Sequence, residues 1–315
     1  MEIGRANLEV FAETVLELAT GDPHVLVVTS DSRGSGKLTD YGETLPGQLI
    51  EVGIAEQNVI GISAGLASAG KKVFAASPAC FITARSFEQI KNDVAYSDQP
   101  VRIIGISAGV SYGALGTTHH SLHDYAALRA VNNIVIIAPA DNFETRETIK
   151  AIHNIDHPVY VRLGKAPIPN VHGEGSTFTI GKAALVRDGS DLTFIACGET
   201  VPIALLAAQH LAAEGIECRV LSMHTIKPLD EAAVLQAARE TQAIITVEEH
   251  STFGGLGEAC AAVLLQGGAA VPFKIVGFPD EHMVSGSQTE IFNHYGISPA
   301  GLAATARHLL SGKTS

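Results

Sequence analysis

Apolar positions along the chain follow two alternating patterns. Residues 4–19 carry Leu8, Phe11, Ala12, Val15, Leu16 and Ala19 at helical spacing, and Gly21-Asp22-Pro23 ends the run. Val25 to Thr29 is a continuous β-branched stretch, the pattern of a strand buried on both faces. A polar loop, Ser30-Asp31-Ser32-Arg33-Gly34, follows at the strand's carboxyl end. The alternation then repeats. A helix after Gly53 precedes a strand at 73–76, and a helix with Phe87 and Ile90 precedes one at 101–106. A helix over 121–130 leads to a strand at 134–138, and a helix over 142–153 to one at 159–162. Residues 164–180 are rich in Gly, Pro and polar types and read as a linker. Beyond it strands at 192–197, 218–222, 243–247 and 273–276 alternate with helices at 200–214, 230–239 and 255–265. Alternating strands and helices predict parallel sheets covered on both faces. The expected fold class is α/β, with two doubly wound domains at 1–165 and 181–315 and a linker at 166–180. The closing SGKTS reads as a frayed tail.

One stretch breaks the pattern with chemistry. In Leu49 to Gly70 an acidic residue, Glu56, opens a run of Ile54, Ile60, Ile62 and Leu66 interleaved with Ala55, Gly61, Ala64 and Gly65. Such a helix has almost no polar face and is buried or packed against another subunit. Burial favours the protonated form of a carboxyl unless a partner stabilises its charge, and a carboxyl so placed suits proton transfer. The alternative reading is an ordinary acidic residue favoured by the helix dipole.

Composition narrows the classes. Of the 315 residues, 46% are apolar and 17% charged, more hidden surface than a lone monomer needs, which suggests a subunit interface. A net charge of −12 argues against nucleic acid, whose binding relies on basic patches. Cys80, Cys197, Cys218 and Cys260 are far apart and form no C-x-x-C pair, so they read as reduced core residues. The amino-terminal residues are acidic and amphipathic, unlike a signal peptide, and no apolar run suits a membrane span. Cytoplasm is the default expectation.

The motif G-I-A-E-Q-N with its small-residue helix resembles the pyrimidine-binding domain of the transketolase group of thiamine-diphosphate enzymes. The similarity continues through VFAASPACFITARSFEQIKNDVAY, GVSYGALGTTHHSLHDYAALRAVNNIVIIAPAD and HPVYVRLGKAPIP, then into FIACGETVPIALLAAQHL. It covers nearly the whole chain and corresponds to the carboxyl-terminal half of a full-length transketolase.

That resemblance implies roles. Glu56, with Ile54 beside it, is the carboxyl that meets the aminopyrimidine of thiamine diphosphate and promotes loss of the thiazolium proton. Phe81 is one wall of the aromatic slot, while Pro78 and Ala75 stand where two further aromatics are usual. Plain core is the alternative reading for Phe81. Asp31, at a strand end, matches an Asp near the cofactor, though it would also serve as a turn former. His119 closes a glycine-rich loop, Gly113 to His120, and matches the histidine that reaches the sugar. A second sugar-contacting histidine is replaced by Ser107, and an Asp that reads a donor hydroxyl by Leu115. Arg162 matches the arginine that holds substrate phosphate, with a structural ion pair as the alternative. Loss of the hydroxyl-reading Asp is compatible with a branched ketose phosphate donor such as apulose 4-phosphate.

No G-D-G…N-type motif for a diphosphate-bound divalent ion is present in the sequence. The resemblance therefore implies that Mg2+ or another divalent ion is held by a second chain, the diphosphate-binding subunit of a split transketolase. The implied assembly is a heterotetramer, with self-association through both domains of this chain and the cofactor at the chain junction. His119, His120, His123 and Asp124 lack a standard zinc spacing, and the pair His153 and His157 spans an apparent helix end, so no metal is assigned to this chain. Two other readings stay open: the beta subunit of the decarboxylating component of a 2-oxoacid dehydrogenase, and a non-catalytic assembly subunit. The second domain is given no chemistry.

Overall fold

The computed structural model describes residues 1–312; the last residues of the expected frayed tail, 313–315, lie outside the described residues. Its elements in chain order begin with β1 (Ile3–Ala6), α1 (Asn7–Gly21), β2 (Val25–Thr29), α2 (Thr39–Thr44), β3 (Leu49–Glu51), α3 (Glu56–Ser68) and β4 (Lys72–Pro78). Then come α4 (Ala79–Arg85), α5 (Phe87–Gln89) running into a π-helical turn at Ile90–Tyr96, β5 (Arg102–Ile106), α6 (Asp124–Arg129), β6 (Val135–Ile137), α7 (Asn142–His153), β7 (Val159–Arg162) and β8 (Pro167–Pro169). The second series is β9 (Ala184–Arg187), β10 (Leu192–Ala196), α8 (Val201–Ala212), β11 (Cys218–Ser222), β12 (Thr225–Lys227), α9 (Glu231–Glu240), β13 (Ala243–Ser251), α10 (Leu256–Gln266), β14 (Phe273–Phe278), α11 (Gln288–His294) and α12 (Pro299–Leu310).

Two sheets organise these elements. The first has the order β12-β6-β7-β5-β4-β2-β3, parallel except for β12. The second has the order β14-β13-β10-β11-β9, with only β9 antiparallel. The central strands β2, β5, β7 and β10 are buried along their whole length, as continuous apolar runs require in a sheet covered on both faces. The α/β, doubly wound class read from the alternation is the class observed.

Three features differ from the linear reading. The residues read as linker are not free: Pro167–Pro169 pairs antiparallel with Ile3–Ala6, and the Asp141 carboxylate accepts the main-chain N–H of both Val171 and His172. Strand β12, from the second series, completes the first sheet by pairing with β6. Strand β13 extends through Glu248-Glu249-His250, a polar triplet that looks like a loop in sequence yet is buried.

Glu248 shows why such polar residues survive inside. Its carboxylate accepts the N–H groups of Leu256 and Gly257, at 2.7 and 2.8 Å, and so caps the amino end of α10. A Cβ at Gly255 would stand 1.9 Å from that carboxylate, which accounts for glycine there. Burial still pushes the Glu248 carboxyl up to about 7.

Candidate functional site

The carboxyl ends of β2, β3, β4 and β5 lie side by side, and the loops leaving them carry most of the residues singled out by sequence. Ligands in open α/β sheets bind at this edge. Two of the strand ends turn through left-handed backbone at non-glycine residues, Asp31 with φ 52° and Ser107 with φ 51°. Side chains seldom accept that conformation outside constrained sites.

Glu56 is the first residue of α3 and is 4% exposed. Its Oε1 lies 2.8 Å from Nη1 of Arg85, the last residue of α4. The same guanidinium sits over the Phe81 ring, 4.2 Å from its centroid. Phe81 and Arg85 are one helical turn apart, so α4 presents both toward Glu56. The Phe81 ring then meets His119 edge-on at 5.3 Å, and His119 meets Tyr112 edge-on at 5.5 Å. Lys165 Nζ lies 5.2 Å from the Tyr112 ring centroid. The chain therefore lines up a buried carboxylate, two cations, two aromatic rings and a histidine in one continuous band. Glu56 has a cationic partner, so the apolar isolation suggested by its sequence neighbours is not what the fold provides.

The remaining expected residues fall into place unevenly. Ile54 lies on the turn before Glu56 and is 74% exposed, so it contacts little of its own chain. Asp31 is joined to that turn through Glu51, whose Oε1 accepts the N–H of Asp31 at 2.5 Å and of Gly53 at 3.0 Å. Ser107 is buried, and its Oγ has no protein hydrogen-bond partner. Ala75 is interior sheet, so it lines no slot.

Arg162 departs from its expected role. Its side chain is 5% exposed, stacks over the Tyr125 ring at 4.6 Å, and is flanked by Asp124 at 3.6 Å and Glu249 at 3.8 Å. Its Nη2 also donates to the main-chain oxygens of Ser121 and Glu249. A guanidinium so neutralised between the two domains holds no open face for a substrate phosphate. The exposed cation at the same strand end is Lys165, three residues on.

The histidine-rich segment does not converge on a metal. His120 faces the carbonyl of Gly113, His123 the hydroxyl of Thr83, and Asp124 accepts from Tyr160. Among the described residues no group of three or more His, Cys, Asp or Glu is arranged to hold an ion.

Sequence reasoning did not pick out Arg85, Tyr112, Lys165 or Glu51. Arg85 was legible from its spacing to Phe81. The other three depend on loops meeting in space. The clefts of several hundred Å3 lined by Arg129, Lys227 and Gln266, and by Lys182, Arg219 and Glu240, include none of the band's residues.

The family described as transketolase, pyrimidine binding domain matches residues 4–170, and transketolase, C-terminal domain matches 181–302. The chain is 51% identical over 297 residues to one of the subunits of the apulose-4-phosphate transketolase of Phocaeicola vulgatus, covering 94% of this chain and 95% of that one. It is 35% identical to 6-deoxy-6-sulfo-D-fructose transketolase subunit SqwH of Clostridium sp. MSTE9, covering 97% and 94%. Its fold matches a solved split gene transketolase, described as an inactive beta4 tetramer, with a TM-score of 0.87, 34% identity and coverage of 99% and 100%. With both family domains in order and such identity across almost its full length, the chain belongs to the transketolase family.

Proposed function

We propose that this chain is the pyrimidine-binding subunit of a split, thiamine-diphosphate-dependent transketolase that moves a two-carbon ketol unit from a ketose phosphate to an aldose phosphate. The observation that carries the reading is Glu56, buried at the start of α3 and set beside Arg85 and Phe81. The donor set fits the cofactor's aminopyrimidine: a carboxylate with a second oxygen to offer, an aromatic wall, and an apolar rim at Ile54. When bound, thiamine diphosphate supplies the carbanion that adds to the ketose and stores the electron pair.

This chain's own part is positional and protonic. Glu56 exchanges a proton with the pyrimidine while Arg85 supplies its countercharge. His119, held between Phe81 and Tyr112, hydrogen-bonds the sugar hydroxyls. Lys165, rather than the buried Arg162, offers the cation for a sugar phosphate. Leu115, more than half exposed where an Asp would read a donor hydroxyl, supports a branched ketose phosphate of the apulose 4-phosphate type.

The divalent ion and diphosphate are held by the diphosphate-binding partner chain in this reading, and the assembly is a heterotetramer. Ile54, Ile62 and Tyr96, exposed on and beside α3, are the apolar residues that the assembly would cover. The 51% identity weighs this reading above a 2-oxoacid dehydrogenase subunit or an inert scaffold.

The test is copurification with the diphosphate-binding chain and an assay of ketol transfer with and without thiamine diphosphate. Cofactor-dependent transfer from apulose 4-phosphate is the expected result. Transfer from xylulose 5-phosphate that is far faster would overturn the donor; no cofactor-dependent transfer from either would overturn the reading.

A further inference from the structure

The loop bearing Tyr112 and His119 leaves the sheet at Ser107, and its neck closes where Gly109 and Ser121 form a bridge, the Ser121 N–H donating to the Gly109 oxygen at 2.8 Å. Both sides of this neck are tied to the second domain. On one side, the N–H of Val110 donates to Glu249 Oε1 at 2.9 Å. On the other, Arg162 Nη2 donates to the Ser121 oxygen at 3.3 Å and also to the main-chain oxygen of Glu249. Gln288, at the start of α11, donates through Nε2 to Glu249 Oε1 at 2.8 Å and to Glu199 Oε2 at 2.9 Å, fixing the carboxylate from behind. The fit leaves no slack: Gly109 adopts φ 61°, and a Cβ there would stand 2.1 Å from the Glu249 carboxyl carbon.

We propose that Glu249 is a positioning residue for the His119 loop, so that the second domain, through one carboxylate, sets where Tyr112 stands and where His119 meets Phe81. Main-chain hydrogen bonds to a buried carboxylate are charge-assisted and directional, which makes them suited to holding a loop at a fixed height. The arrangement is more than adhesion between domains, because the Glu249 carboxylate takes the Val110 N–H on one side of the loop's neck, while Arg162 of β7 links the Ser121 oxygen on the other side to the Glu249 main chain. The catalytic consequence rests on the transketolase reading; the structural one does not.

Amide hydrogen exchange on the full chain separates positioning from adhesion. In Glu249→Ala, the amides of 110–121 are expected to exchange at least tenfold faster while those of α3 keep their protection. Glu249→Gln keeps an oxygen for Val110 and is expected to restore most of the protection. In the complex with the diphosphate-binding chain, kcat/KM for the sugar phosphate is expected to fall at least tenfold in Glu249→Ala and to stay within about threefold in Glu249→Gln. Should Glu249→Ala not fold, Gln288→Ala is measured the same way, with at least threefold faster exchange expected in the loop alone. Unchanged loop exchange, or faster exchange spread evenly through the chain, would overturn the proposal even if ketol transfer is confirmed.

Discussion

The Arg85 guanidinium faces the Glu56 carboxylate at 2.8 Å while resting on the Phe81 ring, so one cation serves both the acid and its aromatic neighbour. Glu56 is buried and Arg85 about half exposed, so the contact matters more for where the carboxylate points than as a free-standing ion pair.

Glu56→Gln keeps the shape and removes the ionisable proton. Loss of a positioned proton-transfer group lowers turnover by about 10^2–10^4-fold. Turnover in the complex should fall by that order, with melting temperature nearly unchanged. Arg85→Leu leaves a buried carboxylate unpaired and is expected to cost about 1–3 kcal/mol of stability. Urea unfolding of the variant checks this.

Lys165 and Arg162 make opposite predictions. Lys165→Met removes an exposed cation near Tyr112, and KM for sugar phosphates should rise about tenfold, the equivalent of 1.4 kcal/mol, with kcat held. Arg162→Met leaves Asp124 and Glu249 facing each other without a cation. Breaking a buried pair costs about 3–5 kcal/mol, so this variant should unfold at lower urea. If Arg162→Met instead raised KM with stability intact, its assignment here would be reversed.

Glu199 gives a pH dependence with a definite sign. Burial raises its carboxyl to about 8, with the nearby Glu249 adding to the shift and Gln288 and Arg162 opposing it. The folded chain thus binds a proton more tightly than the unfolded one. Its contribution is fully present below the ordinary carboxylate range and is lost as pH rises toward 8. Glu199→Gln should flatten the fall in melting temperature between pH 5 and 8 relative to the parent chain. A parallel fall in both proteins would argue against it.

The cysteines give a further test. All four are buried, and burial pushes the Cys80 thiol up to about 11 and the Cys218 thiol up to about 12. Thiolate is the reactive form, so a thiol reagent at pH 8 should label the native chain slowly and label four sites in urea. Rapid native labelling at Cys80 would mean that α4 opens more readily than its packing indicates.

The sequence by itself determined the alternation of strands and helices and the limits of α7, β7 and β11, and it singled out Glu56. These are local properties: hydrophobic period, turn residues, and one acid in an apolar run. Local pattern also carried the order of motifs that places the chain in its family. It left out α11 and α12 and undervalued the polar end of β13, whose Glu248, Glu249 and His250 are ionisable groups that only distant partners make tolerable inside. Tertiary structure alone decided that Arg162 is spent between Asp124 and Glu249, that Arg85 and not solvent faces Glu56, and that β12 crosses into the first sheet. The reason is that burial and charge compensation are set by residues far apart in the chain, and a one-dimensional pattern holds no record of which of them meet.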